Sequence, residues 1–327
     1  MMKPLELLTR QYGLADAELS ALPFTGGALK SVYRVEAGGR SYVFKRYRPD
    51  FRSPEDVVAM HDAQAFLAEA GIPVARAVPD RAGRVATPDE GACWVLYEWV
   101  GGRHPVAGCV STREAAVWGE LLGRLDLRLA DWQTSWPGAE PLQIYPVAER
   151  VALFADLIRH AERGGTERDA ACLVTLRQNL KGIEAMAGLV PELLAMPRQW
   201  VHGDPNEGNV LMADGGDRVL AVLDFDNMRQ APRGFDFMYS LCAFFPQACP
   251  ERDDFARAYF RTVRPTPGEV ALYAPLRAYW ELCDVWPIDW LYLEPHLYDA
   301  VWDIPRPTTF WQEKLDATTE WLLRIAQ

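Results

Sequence analysis

One loop and the strand that follows it carry the side chains best suited to chemistry. Asp204 and Asn209 stand five residues apart in the loop, and Asp224 ends the next apolar strand. Carboxylate and amide oxygens from two neighbouring segments are ligands that Mg²⁺ accepts. The spacing His-x-Asp-x-x-x-x-Asn, with an Asp on the next strand, is the one that kinase-type phosphoryl transfer uses. In that chemistry Asp204 would orient an acceptor hydroxyl and take its proton, while Asn209 and Asp224 would bind the metal.

The plain alternative is that these residues only shape turns. Gly, Asp and Asn are common turn residues, and the Asp-Gly-Gly-Asp run at 214–217 indicates a hairpin turn between two strands. A single His-x-Asp would carry little weight. The whole order of loop, apolar strand, hairpin, apolar strand and terminal carboxylate is more specific, and it favours a reaction site.

At these positions the sequence resembles the aminoglycoside phosphotransferase and choline kinase superfamily, with its signature HGDxxxxNxL followed by xDFD. Its opening is also similar to the homoserine kinase and spore-coat kinase-like branches. The resemblance implies an α+β, bilobal protein-kinase-like fold, with a small antiparallel sheet lobe and a larger, mostly helical lobe. It also implies ATP and Mg²⁺ as cofactors. We therefore expect residues 1–97 to form the nucleotide-binding lobe, 98–102 the hinge, and 103–327 the catalytic and acceptor-binding lobe.

The small lobe contains a lysine suited to phosphate binding. Lys45 alternates with Val43 and Tyr47 on one strand face, so its ammonium should point into the interior with apolar neighbours. A buried lysine needs an anionic partner, and the phosphates of ATP would provide one. The alternative is a surface lysine on an edge strand. Gly26 and Gly27 precede the strand predicted at residues 32–35, which comes before the lysine strand. There, backbone N–H groups could close over phosphates, or the glycines could form a plain hairpin turn.

A helix is predicted over residues 53–70, because a serine cap, a proline and two acids begin it. The kinase arrangement places a glutamate on this helix, facing the strand lysine. Here the mid-helix candidates are His61, Asp62 and Gln64, which departs from the family pattern. We take Asp62 as the first candidate for the partner of the lysine.

The apolar strand that ends near residue 97 runs into a segment with two glycines. It resembles the interlobe hinge of the family, whose main-chain groups pair with the adenine edge. The resemblance implies that Tyr97, Glu98 and Trp99 contribute to nucleotide binding. The alternative is a strand that simply leaves a small domain.

The larger lobe is predicted to be mostly helical, and three of its other residues invite a role. The resemblance implies that Asp236 braces the catalytic loop by hydrogen bonds. His202 is expected to be a packed, hydrogen-bonded core residue rather than an acid or base. Asp226 could contact a metal or substrate, or merely cap a turn. Amphipathic helices are predicted over residues 112–130, 147–162 and 167–187.

Acceptor specificity is expected in the tail from Tyr279 onwards. Six of the twelve tryptophans lie there, interleaved with Asp and Glu residues. Aromatic rings beside carboxylates suit an amine- or ammonium-bearing alcohol through cation–π contacts and ion pairs. The helical spacing of Trp286 and Trp290 instead favours core residues of helices.

Composition limits the partners. A net charge of −11 argues against a nucleic-acid partner and is compatible with a cationic acceptor. The sequence contains no apolar run of about 18 residues and no charged-then-apolar leader, so neither a membrane span nor a signal peptide is expected. The six cysteines are scattered without a C-x-x-C pair, which is typical of reduced residues in a cytoplasmic protein.

The sequence therefore predicts an ATP:alcohol phosphotransferase that moves the γ-phosphate to a hydroxyl of a small molecule, such as an aminoglycoside-like compound, an amino alcohol or a metabolite. One alternative is a homoserine-kinase-like metabolic kinase. Another is a non-catalytic nucleotide-binding pseudokinase, which the missing helix glutamate favours and the intact Asp204, Asn209 and Asp224 disfavour.

Overall fold

The computed structural model describes residues 3–22, 30–47, 52–136, 144–295, 303–308 and 314–327. Within these ranges the predicted α+β class, with an antiparallel sheet and a mostly helical remainder, is confirmed. The strands are β1 Glu18–Ala21, β2 Lys30–Ala37, β3 Arg40–Tyr47, β4 Ala77–Val78, β5 Thr87–Asp89, β6 Ala92–Glu98, β7 Gln199–Val201, β8 Val210–Met212, β9 Val219–Val222 and β10 Arg229–Ala231. The helices are α1 Pro4–Leu7, α2 Pro54–Glu69, α3 Thr112–Ala130, α4 Val147–Gly164, α5 Glu167–Ala185, α6 Val190–Leu194, α7 Gly234–Phe244, α8 Pro250–Val263, α9 Pro267–Ala271, α10 Tyr273–Cys283, α11 Ile288–Leu293 and α12 Leu315–Ile325.

The chain packs into two compact units. The antiparallel sheet and the predicted catalytic loop both belong to the first unit. The sequence predicts a nucleotide-binding lobe and an acceptor-binding lobe joined by a hinge at residues 98–102. This functional division stays a prediction. The first unit consists of Met1–Pro141, Gln199–Gln230 and Ser240–Val263, and the second of Leu142–Arg198, Ala231–Tyr239 and Arg264–Gln327.

The six-stranded sheet has the order β1-β2-β3-β6-β4, with β5 also paired to β6, and every pair is antiparallel. Successive residues of β3 face opposite sides of this sheet. On one side Phe44 stacks on Trp94 with ring centroids 4.5 Å apart and packs with α1. On the other side Tyr47 packs with Val57 of α2. Lys45 shares the parity of Tyr47, so it belongs to the side that α2 covers.

Helix α2 begins at a capping box. The Ser53 hydroxyl accepts a bond from the Asp56 N–H at 3.1 Å, and the Asp56 carboxylate accepts one from the Ser53 N–H at 2.9 Å. Pro54 occupies the first helical position, as predicted. Met60 packs with Tyr47 and Val95 of the sheet, and Leu67, further along the helix, is fully buried.

Strands β8 and β9 form the predicted hairpin, and the chain beyond β6 runs against it. The Arg103 N–H donates to the Met212 carbonyl at 2.9 Å, and the Met212 N–H donates back at 2.9 Å. Gly102 has φ +107°, and a Cβ at that position would lie 2.6 Å from the Met212 carbonyl oxygen. The close approach of the predicted hinge to the hairpin therefore depends on glycine.

The three predicted helices appear as α3, α4 and α5, with ends within two residues of the expected ones. Capping boxes at Ser111 and Thr166 fix the first turns of α3 and α5. None of the helices in the part of the chain that the structure describes is long and apolar enough to cross a membrane.

The tryptophans of the tail have different environments. Trp321 is 6% exposed and belongs to the core, whereas Trp286 is 44% exposed. Trp286 and Trp290 meet edge to face with ring centroids 6.1 Å apart. Trp302 and Trp311 lie outside the described residues. Core packing thus accounts for Trp321, and the acceptor-binding interpretation stays a prediction for the exposed Trp286 and the half-buried Trp290.

Gly102→Ala should destabilise the protein by about 2 kcal/mol or more, because alanine is strained at this positive φ and its Cβ would press on the Met212 carbonyl. Gly101→Ala is the matched control, since a Cβ there meets nothing within 4 Å, and its effect should stay within about 0.5 kcal/mol. Urea unfolding measures both. Equal effects of the two substitutions would contradict the close approach.

Candidate active site

The predicted catalytic loop starts where β7 ends. Gly203 has φ +83° there. The Asn227 carbonyl lies so close that a Cβ on residue 203 would overlap it. Glycine alone satisfies both the backbone conformation and the approach, so the segment after β9 can pack directly against the loop.

His202 joins the loop to the end of β9. Its Nε2–H donates to the Leu223 carbonyl at 2.8 Å, and its Nδ1 accepts from the Asp204 N–H at 3.2 Å. The ring is fully buried and packs on Phe225 with centroids 4.7 Å apart. These contacts confirm that His202 is a packed, hydrogen-bonded residue.

The Asp204 carboxylate is oriented by side-chain amides. Asn206 Nδ2 donates to Oδ1 at 2.7 Å and Asn209 Nδ2 donates to Oδ2 at 3.1 Å. Asn209 Nδ2 also donates to the Asp204 carbonyl at 2.9 Å, and Asn227 Nδ2 reaches Oδ2 at 3.4 Å. Two residues predicted to act together, Asp204 and Asn209, are thus in direct contact.

Main-chain bonds place Asp224 beside this loop. The Leu223 N–H donates to the Asn209 carbonyl at 2.8 Å. Its carbonyl accepts the bond from His202, so both polar groups of Leu223 are held by the loop. Asp224 is the next residue, and its position is therefore fixed relative to Asn209 by a single peptide unit.

Asp224 and Asp226 converge on Lys45. Asp224 adopts a left-handed conformation, φ 57° and ψ 68°, and Phe225–Asn227 forms one 3₁₀ turn after it. This turn brings the two carboxylates to one place. Lys45 Nζ donates to Asp224 Oδ1 at 3.0 Å and to both oxygens of Asp226 at 3.0 and 2.9 Å.

The predicted inward orientation of Lys45 is confirmed, since its side chain is only 10% exposed. Burial alone would lower the pKa of this ammonium. The Asp224 and Asp226 carboxylates raise it by more, so the pKa of Lys45 lies above its ordinary value. The lysine is therefore charged, and its charge is balanced by the two aspartates in the structure.

The choice of Asp62 as the partner of Lys45 was wrong. Asp62 is exposed, whereas His61 and Gln64 are each 7% exposed on the buried side of α2. Each helical residue is rotated by about 100° from its neighbour, so a residue next to a buried one readily points to solvent. The carboxylates that pair with Lys45 are instead those of Asp224 and Asp226, which follow β9.

The predicted hinge residues lie at the end of β6 and just beyond it. The Glu98 N–H donates to the Arg76 carbonyl at 2.9 Å, and the Trp99 N–H donates to the Ser41 carbonyl at 3.2 Å. Tyr97 directs its hydroxyl to neighbouring side chains, at 2.9 Å from each partner. The nucleotide-binding role of these three residues stays a prediction.

Two further expectations concern residues whose roles the site geometry does not test. Gly26 and Gly27 lie outside the described residues. Asp236 is fully buried in the first turn of α7, and its bracing role stays a prediction.

Sequence reasoning missed the amide partners of Asp204 and left the place of Asp226 open. Asn206 and Asn227 follow the two aspartate segments by one or two residues, and such short polar side chains commonly bond locally in turns. That tendency could have predicted from the sequence that these two amides bond the Asp204 carboxylate. For Asp226, nothing in the residue types required the left-handed turn at Asp224.

Comparison with known proteins identifies the family of the chain. The sequence model of the phosphotransferase enzyme family matches residues 20–274, well over half of the chain. The chain belongs to that family. None of the curated proteins matches it.

Solved structures share the fold, and the family resemblance to kinase-like phosphotransferases is confirmed. Spectinomycin phosphotransferase, solved with ADP and spectinomycin, is 15% identical with a TM-score of 0.67, over 98% of this chain and 96% of that chain. Amicoumacin kinase, solved with AMP-PNP, Ca²⁺ and amicoumacin, is 17% identical with a TM-score of 0.60, over 94% and 88%. A microcompartment-associated aminopropanol kinase is 16% identical with a TM-score of 0.56, over 98% and 93%.

Lys45→Met should destabilise the fold by about 3 kcal/mol or more, because it removes the ammonium that pairs with the buried Asp226 and the half-buried Asp224. Adding Asp226→Asn should recover part of that loss, so the two changes should not be additive. Arg159→Met removes an exposed ion pair, 57% and 42% exposed, and should cost less than about 1 kcal/mol. Urea unfolding of Lys45→Met, Asp226→Asn, the double variant and Arg159→Met measures the coupling. Strict additivity of the changes at Lys45 and Asp226 would contradict the cluster.

Proposed function

We propose that this phosphotransferase moves the γ-phosphate of ATP to a hydroxyl of a small molecule. The observation that carries the proposal is the meeting of Lys45, Asp224 and Asp226 within 3.0 Å, beside the loop that holds Asp204 and Asn209. Phosphoryl transfer requires a cation that binds the phosphates, a carboxylate that binds the metal and a carboxylate that takes the proton of the acceptor hydroxyl.

The side chains next to Lys45 suit Mg²⁺. Both bonds of Asn209 to Asp204 use its amide nitrogen, so its amide oxygen is available for a metal. Asp224 would add a carboxylate oxygen. The described residues contain no group of three or more His, Cys, Asp or Glu side chains that could hold a metal, but Mg²⁺ normally takes one or two carboxylates and completes its shell with phosphate oxygens and water. Bound there, the metal would neutralise phosphate charge.

Lys45 would transfer its ammonium from the aspartates to the phosphates of ATP. The ammonium is buried and charged, so it can form strong charge-assisted bonds without first losing much water. Its release would also free Asp224 to bind the metal. Positioning and charge neutralisation would then supply most of the catalysis.

Asp204 would act as the base. Its carboxylate is aimed by three asparagine amides and would accept the proton of the acceptor hydroxyl. The acceptor oxygen would bond the γ-phosphorus as the bond from that phosphorus to the β–γ bridging oxygen breaks. ADP would leave with that electron pair.

For the acceptor, we propose a small alcohol that carries an ammonium group. Trp286, which is 44% exposed, meets the half-buried Trp290 edge to face, and the Asp284 carboxylate accepts from the Trp286 N–H at 3.2 Å. Aromatic rings beside a carboxylate suit an ammonium group. The name of the aminopropanol kinase describes an acceptor of this class. The net charge of −11 argues against a nucleic-acid partner, and the scattered cysteines without a C-x-x-C pair support a cytoplasmic protein. The sequence has no apolar run of about 18 residues that would favour a membrane partner.

A non-catalytic nucleotide-binding protein is the second candidate. It is favoured by the lack of a carboxylate on the buried side of α2, where kinase-type proteins place a glutamate. Mg²⁺-dependent consumption of ATP with a panel of amino alcohols, sugars, homoserine and aminoglycosides separates the two candidates. ATP-analogue binding with no turnover on any acceptor would favour the non-catalytic one.

Asp204→Asn should lower kcat by a factor of about 100 to 10,000, because the acceptor proton loses its base. Binding of ATP should stay close to that of the wild type, since Asp204 would contact the acceptor. Steady-state kinetics with the best acceptor measures the first effect, and calorimetry with AMP-PNP measures the second.

Asp214→Asn is the matched control for this change. Asp214 is exposed in the turn between β8 and β9, so its removal should leave kcat unchanged. A near-native kcat in Asp204→Asn would show that another group takes the proton.

A further inference from the structure

Helix α2 offers Lys45 no carboxylate. Glu55, Asp62 and Glu69 are exposed. Asp56 is bound to the N-cap residue of the helix and to the Trp136 indole N–H at 2.8 Å. Any contribution of the α2 side to the position of the ammonium must therefore come from uncharged groups.

Two tyrosines enclose Lys45 on its own face of the sheet. Tyr97 pairs with Val43 across β3 and β6, and Tyr47 lies four residues further along β3, about 14 Å away. Their hydroxyls are nevertheless 2.9 Å apart. The two side chains must lean towards each other across the position of Lys45, which lies between them. Lys45 Nζ is 4.6 Å from the centre of the Tyr47 ring, within cation–π range.

His61 of α2 extends this pair into a chain of hydrogen bonds. Its Nδ1 lies 2.6 Å from the Val57 carbonyl, which can only accept, so Nδ1 carries the proton. Its Nε2, 2.9 Å from the Tyr97 hydroxyl, must then accept. The Tyr97 hydroxyl donates its hydrogen bond to His61 Nε2 and accepts one from the Tyr47 hydroxyl. Each group in the chain thus has one defined direction.

The chain is uncharged. Burial lowers the pKa of His61, and the nearby Lys45 ammonium lowers it further, while the bond to Val57 opposes both effects. Burial also raises the pKa of both tyrosines. A neutral chain can help to position the lysine without adding a further negative charge that would compete with phosphate for the ammonium, as a helix carboxylate would.

We infer that Tyr47, Tyr97 and His61 are positioning residues that hold Lys45 for the phosphates, where other kinase-like proteins use a carboxylate on the helix. The inference rests on the proposed phosphate role of Lys45. The Tyr47 ring contacts the ammonium directly. Tyr97 and His61 act through that ring.

The test compares two ligands that differ in phosphate. Tyr97→Phe and His61→Leu should each weaken the binding of Mg²⁺–AMP-PNP about tenfold, as the loss of one or two buried hydrogen bonds can do. Binding of adenosine, which has no phosphate for Lys45, should not change. His61→Gln retains a group able to bond the Tyr97 hydroxyl and should bind AMP-PNP more tightly than His61→Leu. Isothermal titration calorimetry measures all affinities, and thermal unfolding verifies that each variant is folded.

Two further variants make the test specific. Tyr42→Phe removes a hydroxyl from the same strand, but on the opposite face of the sheet, and should leave both affinities unchanged. Lys45→Ala should weaken AMP-PNP binding by itself. In that background Tyr97→Phe should cause no additional loss, because a positioning residue acts through the lysine.

The outcomes separate the inference from the proposed function. If Lys45→Ala binds AMP-PNP as tightly as the wild type, the phosphate role of the lysine is wrong. If Lys45→Ala binds weakly while Tyr97→Phe and His61→Leu bind normally, the phosphate role stands and the inference is overturned. Equal weakening of adenosine and AMP-PNP in these two variants would also overturn it, because the chain would then only support the sheet.

Discussion

The contact on which the rest of the first unit depends is the buried ammonium of Lys45 between two carboxylates. Burying one positive and two negative charges costs free energy that only close pairing can offset. A lysine from β3 and a turn after β9, nearly 180 residues apart in the chain, must therefore meet with good geometry. The sheet fixes one side of this contact, and the left-handed backbone of Asp224 with its following 3₁₀ turn fixes the other. Arg52 adds to the turn by donating to the Asp226 carbonyl at 2.9 Å.

The catalytic loop depends on the same turn. The Asn227 carbonyl packs on Gly203, and the Asn227 amide reaches the Asp204 carboxylate. Residues of this turn thus contact both the lysine strand, through Asp226, and the catalytic loop, through Asn227. A change that displaced Asp226 would shift Asn227 as well, and the two clusters of the site would move together. Because one turn contacts both segments, the lysine and the catalytic loop keep a fixed position relative to each other although they are far apart in the sequence.

Sequence reasoning succeeded where a local period or motif decides the outcome. The two-residue period of a strand was enough to orient Lys45, and the spacing of Asp204 and Asn209 was enough to single out two residues that the structure brings into contact. It failed where the outcome depends on a partner far along the chain. The exposure of Asp62 follows from the rotation of α2 against the sheet, which helical spacing leaves undetermined within one residue. The Trp99 N–H is taken by Ser41 of another strand, which no local pattern reveals.

The most direct measurement of the central claim is the Mg²⁺ dependence of AMP-PNP binding in the wild type and in Asp224→Asn. If Lys45, Asp224 and Asp226 form the phosphate and metal site, the wild type should bind AMP-PNP at least about tenfold more tightly with Mg²⁺ than in EDTA. In Asp224→Asn most of that difference should disappear, because the metal loses its carboxylate. An unchanged Mg²⁺ dependence in Asp224→Asn, or no binding of AMP-PNP by the wild type, would contradict the account.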